Sequence, residues 1–218
     1  MIQLASWHTG YASTLAGSVY AAPGSRVAAA QVLADSGLDV HVDVMAASEG
    51  LPPGLSLADL QAISAVVDRV RIGVHLIGSV EFVDAVLPKI LPLSPGVVFL
   101  PWHAFTVERA EAVRAFGGSA WIAVWREWDG LGTPKWPADP DGVLVMLIEP
   151  GTRGHCRLDR LGLVTACTTT MSELPGAPLP VAVDGGVTEE VASLCVAAGV
   201  HQMVVGRALL TSERKDAI

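Results

Sequence analysis

Short runs of Val, Ile, Leu and Met alternate along the chain with longer Ala-, Leu- and Glu-containing stretches whose apolar residues recur at helical spacing. That alternation is expected of a parallel sheet whose strands are joined by crossover helices. Strands are predicted at IQLAS (2–6), LDVHVDVM (38–45), VRIGVHLI (70–77), VVFL (97–100), AWIAV (120–124), GVLVML (142–147), PVAVDG (180–185) and QMVVG (202–206). Helices are predicted at 25–37, 56–69, 79–90, 106–118, 160–171 and 188–199, several opening on a Ser or Thr cap and three closing on Gly. After the fifth strand, REWDGLGTPKWPADPDG (126–142) is too rich in Gly and Pro to hold a full helix. No Pro- or Ser-rich linker divides the chain, so one domain spanning 1–218 is expected, an α/β fold of the closed (β/α)8 TIM-barrel kind. A doubly wound open sheet is the alternative, but no GxGxxG follows the first strand.

Composition narrows the class further. The 218 residues are 51% hydrophobic, enough for a substantial core. The net charge of −8, with no basic cluster beyond the mixed tail SERKDAI, leaves no electrostatic footprint for nucleic acid. Cys156, Cys167 and Cys195 are odd in number and widely spaced, giving neither a disulfide framework nor a CxxC metal pair, which fits a reducing cytoplasm. The opening MIQLASWHTGYAST lacks the basic start and apolar stretch of a signal peptide, and every apolar run breaks before the ~18 residues of a membrane span. The expectation is a soluble cytoplasmic protein with no membrane or nucleic-acid partner.

In a barrel of this kind the active site lies at the carboxyl ends of the strands, so polar residues there carry the functional reading. His41 and Asp43 are two apart in VHVDVM and therefore share one face of a strand. His75 sits late in the third predicted strand and Asp184 ends the seventh, so the four can meet at the barrel mouth. Two imidazoles and two carboxylates suit a divalent ion of borderline hardness, Zn²⁺ first, with Fe²⁺, Mn²⁺ or Co²⁺ also compatible. Each residue alone could be a satisfied strand-end polar group, but burying two carboxylates together without a cation or donors is costly. A second constellation points to an anion: EPGTRG (149–154), DGGV (184–187) and VGRA (205–208) follow the last three strands. Glycine-rich turns at those positions present backbone N–H groups to a phosphate, with Gly151, Gly154, Gly185, Gly186, Gly206 and Arg207 as candidates. The same glycines also serve tight strand-to-helix turns.

The blocks HVDVM, VHL, DGVLVMLIEPG, VDGGV and AGVHQMVVGRAL resemble those of ribulose-phosphate 3-epimerases, in the same order and at similar spacing over nearly the whole chain. The resemblance implies a barrel of the ribulose-phosphate-binding type in which His41, Asp43, His75 and Asp184 bind one catalytic metal. Asp43 and Asp184 would also serve as the acid and base. It further implies Ser6 near the substrate, Met45 and Met146 on its apolar face, a small sugar phosphate as ligand, and a homo-oligomer. The implied reaction inverts the carbon next to the carbonyl of a ketose phosphate through a cis-enediolate, with ribulose 5-phosphate and xylulose 5-phosphate as the default pair.

The likeness fails on the substrate side. After HVDVM the family continues with Asp-Gly and His-Phe-Val-Pro-Asn, whereas this chain has AASEGLPPGL; NPGFGGQ becomes EPGTRGH; WREWDG replaces a KPGT-like turn; Arg207 replaces a small residue; and Ile77 follows VHL in place of a methionine. An epimerase for another ketose, such as a hexulose 6-phosphate, is therefore a rival reading. A non-catalytic sugar-phosphate-binding paralogue is a second, favoured only by loss of a ligand or an acid, and none is lost. A decarboxylase or aldolase of similar architecture is disfavoured, since there is no DxKxxD and no Lys at a strand end. His103 reads as a packed polar residue, and Trp125, Trp128 and Trp136 read as packing for the Pro-rich segment.

Overall fold

A computed structural model describes residues 2–172 and 179–212. Strands β2 (Leu15–Ser18), β3 (Asp39–Met45), β4 (Ile72–Ile77), β5 (Val97–Pro101), β6 (Ser119–Val124), β7 (Gly142–Met146), β8 (Val181–Asp184) and β9 (Gln202–Val205) close into one parallel barrel. The ring is sealed where β2 pairs with β9, Ala16 opposite Val204. Helices α1 (Arg26–Asp35), α2 (Leu57–Ser64), α3 (Val80–Ile90), α4 (Val107–Ala115), α5 (Leu161–Ser172) and α6 (Glu189–Ala197) return the chain between strands. The closed ring excludes the open-sheet alternative.

Helix starts follow the sequence chemistry. Ser25, Ser79 and Thr106 each accept a hydrogen bond from a backbone N–H of the first turn. Ser56 and Asp59 complete a reciprocal capping box at α2, and Arg26 of α1 reaches the same Asp59 carboxylate at 3.2 Å. Outward-facing strand residues such as Val42, Val74, Val98, Ile122 and Val143 are fully buried beneath the helices. Inside the barrel, Phe99, Trp121, Leu144, Met146, Ala182 and Val204 form a separate dry cluster.

One expectation is corrected. The segment at 2–6 does begin as a strand, β1 (Ile2–Leu4), but it pairs antiparallel with β10 (Leu210–Ser212) outside the barrel. Ser6 lies exposed on a 3-10 turn (Ser6–Gly10), not at the end of a barrel strand. The first barrel strand is LAGS, and its terminal residue, Ser18, is buried. LAGS is short and poor in β-branched residues because Gly17 is pressed by α1: a Cβ there would lie 2.3 Å from a Leu33 methyl. The ends of the described chain are tied together, with Trp7 Nε1 donating to the Ala208 carbonyl at 3.2 Å.

No helix follows β6, as the Gly and Pro content of that segment predicts. Trp136 fills the place by packing between Trp102 and Trp128, with ring centroids 5.2 and 6.0 Å apart. Trp128 and Trp136 thus support the outer shell, as expected. Among the described residues no helix is long and apolar enough to cross a membrane.

Candidate active site at the barrel mouth

His41, Asp43, His75 and Asp184 come together. Strand register sets this: Asp43 of β3 lies beside His75 of β4, and Asp184 ends β8. Potential ligand atoms of the four all lie within 4.8 Å of one another. Asp43 Oδ1 is 3.2 Å from His41 Nε2 and 3.4 Å from His75 Nδ1; Asp184 Oδ2 is 4.0 and 3.7 Å from the same nitrogens. Both histidines are 1% exposed.

This donor set fits a divalent cation. Ligand atoms at ~2.0–2.2 Å from a tetrahedral ion stand about 3.3–3.6 Å apart, close to the spacings observed. His75 Nδ1 is buried and has no hydrogen-bond partner, which is costly unless something else satisfies it. Phe99 lies against both imidazoles, with centroids 5.2 and 6.0 Å away, and closes off water from below.

The electrostatics are those of a charged cluster in a dry pocket. Burial opposes ionisation of Asp43, yet the imidazoles of His41 and His75 outweigh it and hold the carboxyl well below the ordinary carboxylate range. Burial likewise opposes protonation of His75, but the Asp184 and Asp43 carboxylates raise it, to about 9 in the metal-free protein. Ser18 Oγ donates to Asp43 Oδ2 at 2.9 Å, leaving Oδ1 to face the imidazoles.

Above the cluster opens a cavity of about 930 Å³ whose floor includes Asp43 and Asp184. Met45 and Met146 line its wall, and Gly151, Gly154, Gly185, Gly186 and Gly206 line its rim together with Arg207. Every residue expected near the substrate therefore borders this space except Ser6, while Ser18, at the end of the first barrel strand, does border it. Gly186 has φ +67°, and a Cβ on it would come 2.7 Å from Cys156 N, so the turn after β8 admits only glycine there.

Ser18, Tyr20, Glu149 and Cys156 also line the cavity without having been expected to. A signal for Ser18 exists in the sequence: a barrel strand at 2–6 would require a connection of nearly twenty structureless residues before α1, which compact domains rarely contain. Cys156 is half-buried and its thiol is pushed up by burial, while Cys167 and Cys195 are pushed up to about 12, so none is poised as a nucleophile. His103 Nε2 donates to the Gly78 carbonyl, 3.0 Å away, and does not line the cavity.

The divergent loop after β3 spans the mouth. Glu49 accepts from Ser79 N at 2.9 Å and from Ser79 Oγ at 2.7 Å, clamping the loop to the start of α3. Leu55 N returns to the Asp43 carbonyl at 2.8 Å. Between these anchors Leu51 reaches Gly151, its Cδ2 only 3.0 Å from where a Cβ would stand. Strands β3 and β7 are opposite in the eight-stranded ring, so this contact bridges the barrel.

A parallel barrel with a convergent imidazole–carboxylate cluster under a glycine-rimmed cavity defines a barrel-enzyme site able to hold a divalent metal. Consistent with that class, the family model of the ribulose-phosphate 3-epimerase family matches residues 14–210, and the chain belongs to that family. The match begins one residue before β2, leaving β1 and Ser6 outside it. No curated protein matches the chain in sequence. Among solved structures it is similar to phosphoribosyl anthranilate isomerase from Thermus thermophilus (TM-score 0.60, 17% identity, 89% of this chain and 88% of that one). It is also similar to orotidine 5'-phosphate decarboxylase from Pyrococcus horikoshii OT3 (TM-score 0.53, 16% identity, 89% of each chain). At these identities the likeness shows the barrel fold.

Proposed function

We propose that the protein is a metal-dependent epimerase that inverts the carbon next to the carbonyl of a ketose phosphate, with ribulose 5-phosphate and xylulose 5-phosphate as the default pair. The observation that carries this reading is the pair of carboxyls, Asp43 on β3 and Asp184 on β8, facing one cavity from different strands and sharing two buried imidazoles. Inversion requires that a proton leave one face of a carbon and another arrive on the opposite face, so two carboxyl groups on different sides are the minimum apparatus.

Asp43 is held ionised by its histidines and is the group ready to take the proton in one direction. Its Oδ2 is fixed by Ser18, which orients the carboxylate without supplying a full charge. Asp184, at the end of β8, delivers the proton from the other side and accepts it in the reverse direction. Met146 and the Phe99–Trp121 pair exclude water beneath the reacting carbon, which favours return of the proton by a side chain that has itself exchanged with solvent over direct return from water. A divalent ion held by His41, Asp43, His75 and Asp184 would supply charge stabilisation for the oxygens of the deprotonated substrate. The turns at Gly185–Gly186 and Gly206 line the part of the cavity where backbone amides would hold the phosphate, with Arg207 beside them.

The direct test is transfer of solvent deuterium into C3 of a ketose 5-phosphate by protein loaded with Zn²⁺, Mn²⁺ or Fe²⁺. Exchange is expected, and Asp43→Asn or Asp184→Asn should reduce it by about 10²–10⁴-fold. Absence of exchange across a panel of ketose phosphates, with metal bound, would sink this reading.

A further inference from the structure

Anionic ligands approach this protein against a net charge of −8, so the placement of unpaired cations matters. Arg26, Arg71, Arg109, Arg114 and Arg157 each pair with an aspartate. Arg160 is engaged by the carbonyls of Val124, Trp125 and Met146. Arg69, Arg126, Arg153, Arg207, Lys89 and Lys135 show no carboxylate or carbonyl partner for their charged groups among the described residues, and of these only Arg153 and Arg207 line the cavity above the cluster of His41, Asp43, His75 and Asp184. Glu149 lines it too, four residues before Arg153 on the same loop, but forms no ion pair with it.

The two arginines stand on different loops. Arg207 follows Gly206 after β9, next to the glycine turns suited to the phosphate. Arg153 is on the loop after β7, with His155 close behind it, and the β8 turn separates the two. Leu51 braces that β7 loop at Gly151, so the base of the segment bearing Arg153 is held by packing from across the mouth. The cavity, about 930 Å³ and open at the barrel mouth, leaves room beside a pentulose monophosphate for a second acidic group.

We propose that the cavity is built for a ketose phosphate bearing a second acidic group, with Arg207 beside the phosphate and Arg153, aided by His155, reading the second anion. This rests on the sugar-phosphate epimerase reading above and specifies its substrate class. A guanidinium pairs with either a carboxylate or a phosphate in a two-point fork, so a sugar acid phosphate and a sugar bisphosphate share the required chemistry.

Calorimetric titration of the full Zn²⁺-loaded protein tests it, with ribulose 5-phosphate, ribulose 1,5-bisphosphate and 6-phospho-2-ketogluconate as probes. At least one doubly acidic probe is expected to bind about tenfold or more tightly than the monophosphate, and which one identifies the second group as phosphate or carboxylate. Arg153→Gln should erase most of that advantage while changing monophosphate affinity by no more than about twofold, whereas Arg207→Gln should weaken every probe. Equal affinity for singly and doubly acidic probes, or equal losses for all of them in Arg153→Gln, would overturn the proposal. Deuterium exchange measured alongside keeps the two readings apart. Exchange of the monophosphate without any preference for a second anion sinks this inference alone; a clear preference with no exchange of any probe sinks epimerisation.

Discussion

The floor and the rim of the cavity are built by different means. His41, Asp43, His75 and Asp184 lie on or at the ends of barrel strands, locked by parallel register and, for the first three, almost wholly buried. Glu149, Arg153, His155 and Arg207 stand on the connecting loops, exposed and without ion-pair partners. The family pattern is intact in the floor and altered in the rim. On the proposed function, reaction type is written into the rigid scaffold, where a displaced carboxylate would be costly, while choice of ligand is written into segments that can change without disturbing the sheet.

That division can be broken most severely from below. Removing metal with a chelator should abolish exchange altogether, and adding Zn²⁺ back should restore it and raise the melting temperature. Binding at a thousandfold above its dissociation constant adds about 4 kcal/mol to folding stability. A chelated protein that kept full activity would show that the floor works by other means.

Ser18→Ala should come next in size. Loss of the 2.9 Å hydrogen bond leaves Asp43 Oδ2 without its fixed donor, and about a 10-fold fall in kcat is expected, in line with the ~1.5–3 kcal/mol of a hydrogen bond to a charged group partly replaced by water. Ser6→Ala should leave kcat and KM unchanged, since Ser6 is exposed and away from the cavity. Equal effects of the two substitutions would reverse the correction made to the first strand.

In the metal-free protein, pH sharpens the comparison further. The value for His75 is raised when folded, to about 9 from an ordinary 6.5. Its protonated form therefore adds stability that is fully present below pH ~6.5 and is lost as pH rises through about 9. A melting-temperature series from pH 6 to 10 should fall over that window without metal. The fall should be much smaller with Zn²⁺ bound, because the ion takes the place of the proton.

The smallest effect belongs to the rim. Glu49→Ala removes both bonds to Ser79 and should cost about 1 kcal/mol of stability, the usual scale for loss of a helix-start interaction, read as a lower denaturation midpoint. With the loop after β3 unclamped, KM should rise more than kcat falls. A change in kcat alone would place this loop with the floor instead.

The sequence makes the floor legible because a period of two puts His41 and Asp43 on one face, and because the apolar runs that carry His75 and Asp184 end sharply at turns. Seven of the barrel strands are readable for the same reason. The eighth, Leu15–Ser18, is not: it is four residues long, contains Gly17 to admit Leu33, and follows a more strand-like segment that pairs elsewhere. Ser18 is legible only through the overlong connection that a barrel strand at 2–6 would need. The loops are opaque for a different reason, since no periodicity announces that Glu49 caps α3 or that Leu51 crosses to Gly151. Such contacts join residues distant in sequence through geometry that only the closed ring creates.

The ribbon of β1 and β10 has a consequence for how the molecule is made. Ile2 is opposite Ser212, so the two strands of the ribbon are separated by nearly the whole described chain. The seam of the ring, β2 against β9, has the same delay. On the ribosome the growing chain is therefore an unsealed arc with β2 as a bare edge, protected only by what covers it in the meantime. Pairings across so long a chain segment slow folding. Chaperone demand in a cell should fall on this interval, between emergence of Ser18 and arrival of Val205, during which His41, Asp43, His75 and Asp184 are translated one after another before the ring around them is sealed.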